Sequence, residues 1–351
     1  MRSVGCVRRS HRGVARREDC HDRHTDRSLL ARRRTRQDWH PRAAGDRSSA
    51  RTVKVRRKES ASHDRRGHYV AGVPRMSSPM IKVTDARYVY ANGAVLALDG
   101  VSLEIPEGQA VGIVGQNGSG KTTLTKLLNG LLKPTSGSIV VDGKDTANNT
   151  VQQMSSTVGY VFQNPNHQLF ATNVRAELAF GPTNLGLPPD EVERRVEEAL
   201  VFFDIKQYGE MHPYRLSFPL RKLVGIASVF TMGPKVFVLD EPTTGQDHQT
   251  TKVINDLIHR LTKQGSTVIC VSHDMPLLAD VSERMIVMWN AKVIADGTAR
   301  EVFSNTEVMT RTHIVPPQIT QISLQLKSRK GKPAALSVDE LAGELGKKGA
   351  A

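Results

Sequence analysis

The sequence predicts an α/β fold with a mostly parallel core sheet, an antiparallel β portion, an α-helical portion and a small C-terminal unit. Three observations carry this reading. Strand-like apolar runs alternate with segments of helical period across residues 80–305, the pattern of a parallel sheet covered by helices on both faces. The runs "VFVL" and "VICV" are apolar throughout, as strands buried on both sides are. The runs nearest the front are short, alternate apolar with polar residues and are split by turn residues, which suits an antiparallel sheet with one wet face.

Taken in order, residues 80–113 read as strands in "IKVTDARYVY", "VSLEI" and "AVGIVG". After Gly120 the period turns helical in "KTTLTKLLNGLL". Strand-like "SIVVDG" and "VGYVFQ" lead to a helical region at about 173–204, which includes the charged "PDEVERRVEEALVFF". A helix then begins within "YRLSFPLRKLVGIASV". It is followed by the buried strand "KVFVLDEP", a helix near 248–263, the strand "STVICVS" and the hairpin-like "MIVMWNAKVIADG". Residues 306–351 read as a small appended unit, and no internal repeat is visible.

Charge divides the 351-residue chain sharply. Residues 1–79 hold 22 Lys/Arg against 8 Asp/Glu, which accounts for the whole formal charge of +14 and leaves residues 80–351 neutral. That front segment is polar and aperiodic, so it cannot bury enough apolar surface to offset its ordering entropy, and it is expected to be disordered. No apolar stretch follows its arginines as an export signal requires. Met76 or Met80 makes the better start, because the first strand begins just after. The three cysteines, Cys6, Cys20 and Cys270, form no disulfide framework. No window approaches 18 uninterrupted apolar residues, so no transmembrane helix is expected.

The chemistry concentrates in two places. "GQNGSGKTT", Gly115 to Thr123, fits G-x-x-x-x-G-K-[ST] and lies between a strand and a helix, where the pattern works as a phosphate loop. Gly115, Asn117, Gly118, Ser119 and Gly120 let backbone N–H groups wrap phosphates at the positive end of the helix. Lys121 should reach the β- and γ-phosphates, Thr122 should ligate Mg²⁺, and Thr123 completes the loop. Further on, four apolar residues end in Asp240 and Glu241. One carboxylate there can enter the Mg²⁺ shell while the next orients water.

On these motifs, residues 80–305 resemble the nucleotide-binding subunit of an ATP-binding-cassette (ABC) transporter, a P-loop NTPase cassette that binds ATP and Mg²⁺. The resemblance implies further roles. Tyr90 resembles the aromatic that stacks on adenine, and Gln163 in "VFQNP" the Q-loop glutamine that contacts Mg²⁺ and the attacking water. Asp247 in "TTGQD" resembles the D-loop aspartate, and His273 in "VSHD" the switch histidine at the γ-phosphate. "VFQNPNHQLFATNVRAELAFGPTNLGLP", with the tail "PPQIT…LSVDEL", is similar to ATPases of energy-coupling-factor importers of vitamins or transition-metal ions. That likeness implies a second cassette paired partly through the C-terminal unit, a transmembrane T component and a substrate-binding S component. It places the protein peripherally at the cytoplasmic face of a membrane, reached only through partners.

One motif departs from the family. Leu216 and Ser217 match the start of the signature L-S-G-G-Q, which caps the γ-phosphate bound at the other subunit. Phe218, Pro219 and Leu220 stand in place of Gly-Gly-Gln. Proline lacks an N–H and phenylalanine adds bulk where backbone should approach closely, so the signature is expected to be degenerate. Pro219 suits a first helical turn and Ser217 an N-cap, so the helix itself is expected to survive. The natural partner is then a different cassette with an intact signature, although Ser217 and the helix dipole could also suffice in a functional variant. The rival readings are an ATPase of another importer or exporter, or a non-transport cassette acting on DNA or ribosomes. The last would call for a long heptad insertion or two fused cassettes, and neither is present, so nucleic acid is not an expected partner.

Overall fold

The computed structural model describes residues 79–90, 93, 95–326 and 334–346. The expected basic arm of residues 1–79 therefore lies, apart from Pro79, outside the described residues. The first half of the chain runs β1 (Ile81–Tyr90), β2 (Val95–Ile105), β3 (Ala110–Gly115), α1 (Lys121–Leu128), β4 (Ser136–Val141), β5 (Lys144–Asp145), α2 (Val151–Ser155) and β6 (Val158–Val161). It continues through α3 (Val174–Asn184), α4 (Pro189–Phe202), α5 (Phe218–Met232), β7 (Val236–Asp240), α6 (His248–Lys263) and β8 (Thr267–Val271). The last part is α7 (Met275–Val281), β9 (Arg284–Trp289), β10 (Lys292–Gly297), α8 (Ala299–Ser304), α9 (Thr306–Thr312), α10 (Gln318–Gln325) and α11 (Val338–Gly346).

Two sheets result. The larger has the order β10-β9-β3-β8-β7-β6 and is parallel except at its β9–β10 edge, where the hairpin expected from the sequence forms. The smaller, β2-β1-β4-β5, is antiparallel. It takes in "SIVV" as well as the front strands, because Ile139 and Val141 of β4 pair with Val83 and Ile81 of β1. The helical region around 173–204 is two helices rather than one. Gly186 in the left-handed region, followed by Leu187 and Pro188, ends α3 and starts α4.

The parallel strands are apolar throughout because both of their faces are buried. On β7, Val236 and Val238 join a cluster with Leu124 and Leu127 of α1 and with Ile81 and Ile139 of the small sheet. The intervening Phe237 and Leu239 face the opposite cluster, with Ile226 of α5 and Ile254 of α6. The same alternation divides Ile269 from Cys270 on β8. Each such side chain contributes about 1.5–3 kcal/mol on burial, so strand positions in the central sheet are held by two cores rather than one.

At the C-terminal end, Val308 and Met309 of α9 join the core cluster of the parallel sheet, and Arg300 of α8 pairs with Glu340 of α11 at 2.6 Å. Cys270 is free and buried in the core, whereas Cys6 and Cys20 lie outside the described residues. Among the described residues no helix is long and apolar enough to cross a membrane.

Candidate active site

The parallel strands end together, and the residues that follow them converge. β3 delivers the glycine-rich loop, β6 leads to Gln163, β7 ends at Asp240 and Glu241, and β8 leads to His273. With Tyr90 from the small sheet, residues of these loops line a cleft of about 540 Å³, while Asp240 is buried and reaches it only through Thr122. Asn117, Gly118, Gly120, Lys121, Thr122, Thr123, Gln163, Glu241 and His273 all face it.

The loop geometry explains its glycines at two positions. Gly115 has φ +153°, and a Cβ there would lie 2.2 Å from the carbonyl oxygen of Met288. Gly120, the N-cap of α1, has φ +102°, and a Cβ there would lie 2.3 Å from the carbonyl of Ala97. No other residue fits either place. Lys121 is buried, and its Nζ donates to the carbonyls of Gly115 at 2.7 Å and Gln116 at 2.9 Å. Burial lowers its pKa, while the carboxylates of Glu241 and Asp240 oppose that shift. Ser119 Oγ is buried and has no partner among the described protein groups. A buried hydroxyl without a partner beside a buried ammonium at a helix start is the surrounding an oxyanion of a nucleotide needs. Tyr90 packs edge-on against Tyr88 and shares a hydrogen bond with Thr123 at 3.1 Å.

The two acidic residues sit in different surroundings. Asp240 is buried; its Oδ1 accepts from Thr122 Oγ1 at 3.4 Å and its Oδ2 from the Tyr160 hydroxyl at 2.9 Å. Thr122 and Asp240 thus offer neighbouring hard oxygen donors, the set that suits Mg²⁺. Glu241 has φ +52°, a conformation that costs a residue with a side chain of order 1–3 kcal/mol and persists only where its surroundings hold it. Its N–H donates to Val271 O at 2.8 Å across the end of β8. The carboxylate accepts from the His273 N–H at 3.3 Å and from Thr244 Oγ1 at 3.4 Å, and its Oε1 lies 3.5 Å from His273 Nε2. Burial raises the Glu241 pKa, with His273 acting in the opposite direction.

Ser217 and Asp247 lie outside this cleft. Asp247 caps α6, accepting from the Thr250 N–H at 2.8 Å, which holds its pKa below the ordinary range. Ser217 occupies the N-cap of α5, but its side chain makes no capping bond there. The helix survives the loss of the glycines, as expected, with Pro219 in its first turn.

The comparisons bear on this geometry. The family described as ABC transporter matches residues 98–244. Over 262 residues the chain is 43% identical to an ABC transporter ATP-binding protein of Caldanaerobacter subterraneus subsp. tengcongensis, a match that covers 75% of this chain and 45% of that protein. It is 39% identical over 250 residues to the energy-coupling factor transporter ATP-binding protein EcfA of Methanothermobacter thermautotrophicus, covering 71% of this chain and 80% of that one. The chain belongs to the ABC-transporter ATPase family.

Among solved structures, cbiO1 from Clostridium perfringens, described as part of the ABC transporter complex cbiONQ, matches with a TM-score of 0.59. It is 36% identical, over 70% of this chain and 98% of that one. The chain spans less than half the length of the first relative and most of the other two proteins. The ABC cassette fold and the ATPase activity expected from the motifs are both borne out.

Three residues that hold the site were not singled out from the sequence. Tyr160 braces Asp240 and also shares a hydrogen bond with Thr125 at 3.2 Å, and burial pushes its pKa up. Gln168 ties the segment after β6 to α5, accepting from Phe162 N–H at 3.2 Å and donating to Gly225 O at 2.6 Å. Lys222 is buried on α5 and donates to the carbonyl of Glu241. The available signals were a hydroxyl inside the apolar run "VGYV" and a lysine on the stripe it shares with Ile226 and Val229.

Tyr160→Phe removes a hydrogen bond to a buried carboxylate, so the unfolding free energy should fall by about 1–3 kcal/mol. Thermal melting reads this directly. An unchanged melting temperature would show that Asp240 needs no such support.

Proposed function

We propose that this cassette powers a membrane importer of the energy-coupling-factor type for vitamins or transition-metal ions, working at the cytoplasmic face beside a second, different cassette. The observation that carries the catalytic half of this reading is the meeting of the phosphate loop, the Glu241–His273 pair and Thr122, with buried Asp240 bonded to it, at one cleft. The transport half is supported by the likeness to EcfA and cbiO1. The T and S components of such an importer, and pairing through the C-terminal unit of residues 306–351, belong to the same proposal.

In this reading, Tyr90 stacks on adenine, while the loop N–H groups, Ser119 and Lys121 hold the phosphates. Thr122, Asp240 and Gln163 hold Mg²⁺, which when bound neutralises charge on the transferring phosphoryl group. Glu241 orients the attacking water and accepts its proton, and its raised pKa makes it a better base than an exposed glutamate. His273, beside it, contacts the γ-phosphate. Ser217 and Asp247 act across the pair, on the partner's nucleotide and on the partner's loop.

An exposed apolar groove fits the transmembrane partner. Phe170 and Phe180 are 60% and 48% exposed and meet edge-to-face at 4.6 Å. Phe162, next to Gln163, lines the same groove, so a helix seated there would adjoin the nucleotide site. Phe170→Asp with Phe180→Asp should abolish co-purification with the transmembrane partner and leave ATP affinity unchanged; retained co-purification would place the contact elsewhere.

The degenerate signature gives a second test. Removing one oxyanion-type donor costs about 10²–10³ in rate, so changing Phe218-Pro219-Leu220 to Gly-Gly-Gln should raise turnover of the chain purified alone by at least ~10-fold. If the unchanged chain already hydrolyses ATP at the rate of the altered one, "LSFPL" is a working signature and the need for a different partner disappears.

A further inference from the structure

Lys222 is a buried charged residue with no part in the proposed hydrolysis. It lies on α5, is 1% exposed, and its ammonium donates to the carbonyl oxygen of Glu241 and reaches that of Thr244 at 3.4 Å. A lysine stays buried and charged only where its donors are satisfied, and here the acceptors are backbone carbonyls of one tight turn. Burial lowers its pKa to about 8, with the Glu241 and Asp240 carboxylates pulling the other way, so the ammonium keeps its proton at neutral pH.

The turn it holds is the strained one. Glu241 adopts φ +52°, and its peptide is fixed on the nitrogen side by the bond to Val271 O at 2.8 Å. On the carbonyl side, Lys222 supplies the stronger, charge-assisted bond, beside a long contact from Thr244 N–H at 3.4 Å. From the start of α5, Pro219 O also accepts from Gln246 Nε2 at 3.4 Å, in the loop that follows Glu241.

We propose that Lys222 is a positioning residue, whose buried ammonium fixes the Glu241 backbone and so aims the Glu241 carboxylate at the nucleotide cleft. The inference rests on the reading of Glu241 as the group that orients water. Lys222 touches no reacting atom in this scheme. It acts by keeping a left-handed glutamate from relaxing to an ordinary conformation, which would swing the carboxylate away from His273.

The test compares Lys222→Met, which keeps length and removes the donors, with Lys222→Gln, which restores neutral donors. Binding of a fluorescent ATP analogue and the melting temperature are measured on the full chain, and kcat and KM on the chain assembled with its partner cassette. Misplacing a catalytic group by about 1 Å can cost 10²-fold, so Lys222→Met should lose at least ~10-fold in kcat. Nucleotide affinity and KM should stay within about threefold, and Lys222→Gln should recover most of the lost kcat. A kcat within twofold of the unaltered chain in Lys222→Met overturns the inference. So does failure of Lys222→Gln to recover activity, or loss of the fold or of nucleotide binding in Lys222→Met, which would make the residue a structural support. Glu241→Gln is measured alongside. Should it hydrolyse ATP normally, the role of Glu241 itself falls and this inference with it, whereas an inactive Glu241→Gln beside an active Lys222→Met removes only the role of Lys222.

Discussion

Parallel pairing of β3, β8, β7 and β6 is the constraint from which the rest follows. Because these strands run the same way and are buried on both faces, their carboxyl ends are held at one level, and loops from four separate parts of the chain open into one cleft. The Glu241 N–H bond to Val271 O extends the β7–β8 pairing one residue past the strand. That extension carries the backbone into its left-handed turn and places the Glu241 carboxylate beside His273. Two cores, one on each face, make the register hard to shift, since a slip by one residue would exchange Val236 and Val238 for Phe237 and Leu239.

Much of this was legible in the sequence because the signals were local. The phosphate loop is a contiguous string whose glycines answer to close backbone approaches, as Gly115 and Gly120 do. Asp240 and Glu241 stood out because charge at the end of an apolar strand is conspicuous. The order of strands and helices followed from apolar periodicity, although the break at Gly186 inside the helical region and the membership of β4 in the small sheet did not. Tyr160, Gln168 and Lys222 escaped notice because their partners lie 80, 57 and 19 residues away. The polar residue within an apolar run is visible in a single chain, but a partner across such a separation is not. Ser217 illustrates a subtler limit: its position at the N-cap of α5 could be read from sequence, yet its hydroxyl makes no cap bond.

The start of α5 now has two aspects. In the proposed pairing, Phe218 and Pro219 stand where an anion bound to a partner cassette would need backbone N–H groups, so the contribution to that site is proposed to be weak. Toward its own chain, α5 holds the Glu241 carbonyl through Lys222, and Pro219 O accepts from Gln246 Nε2 at 3.4 Å. In the proposed pairing, the phosphate loop and Glu241 of this chain work with the signature of a different cassette.

In the proposed pair, this chain supplies the hydrolysing half of one competent site and spoils the other. Steady-state ATP turnover of the assembled pair tests it most directly, with glutamine replacing either Glu241 or the corresponding carboxylate of the partner. Glu241→Gln should lower turnover by about 10² or more, while the change in the partner should lower it less than about threefold. Equal losses from the two changes would contradict this division.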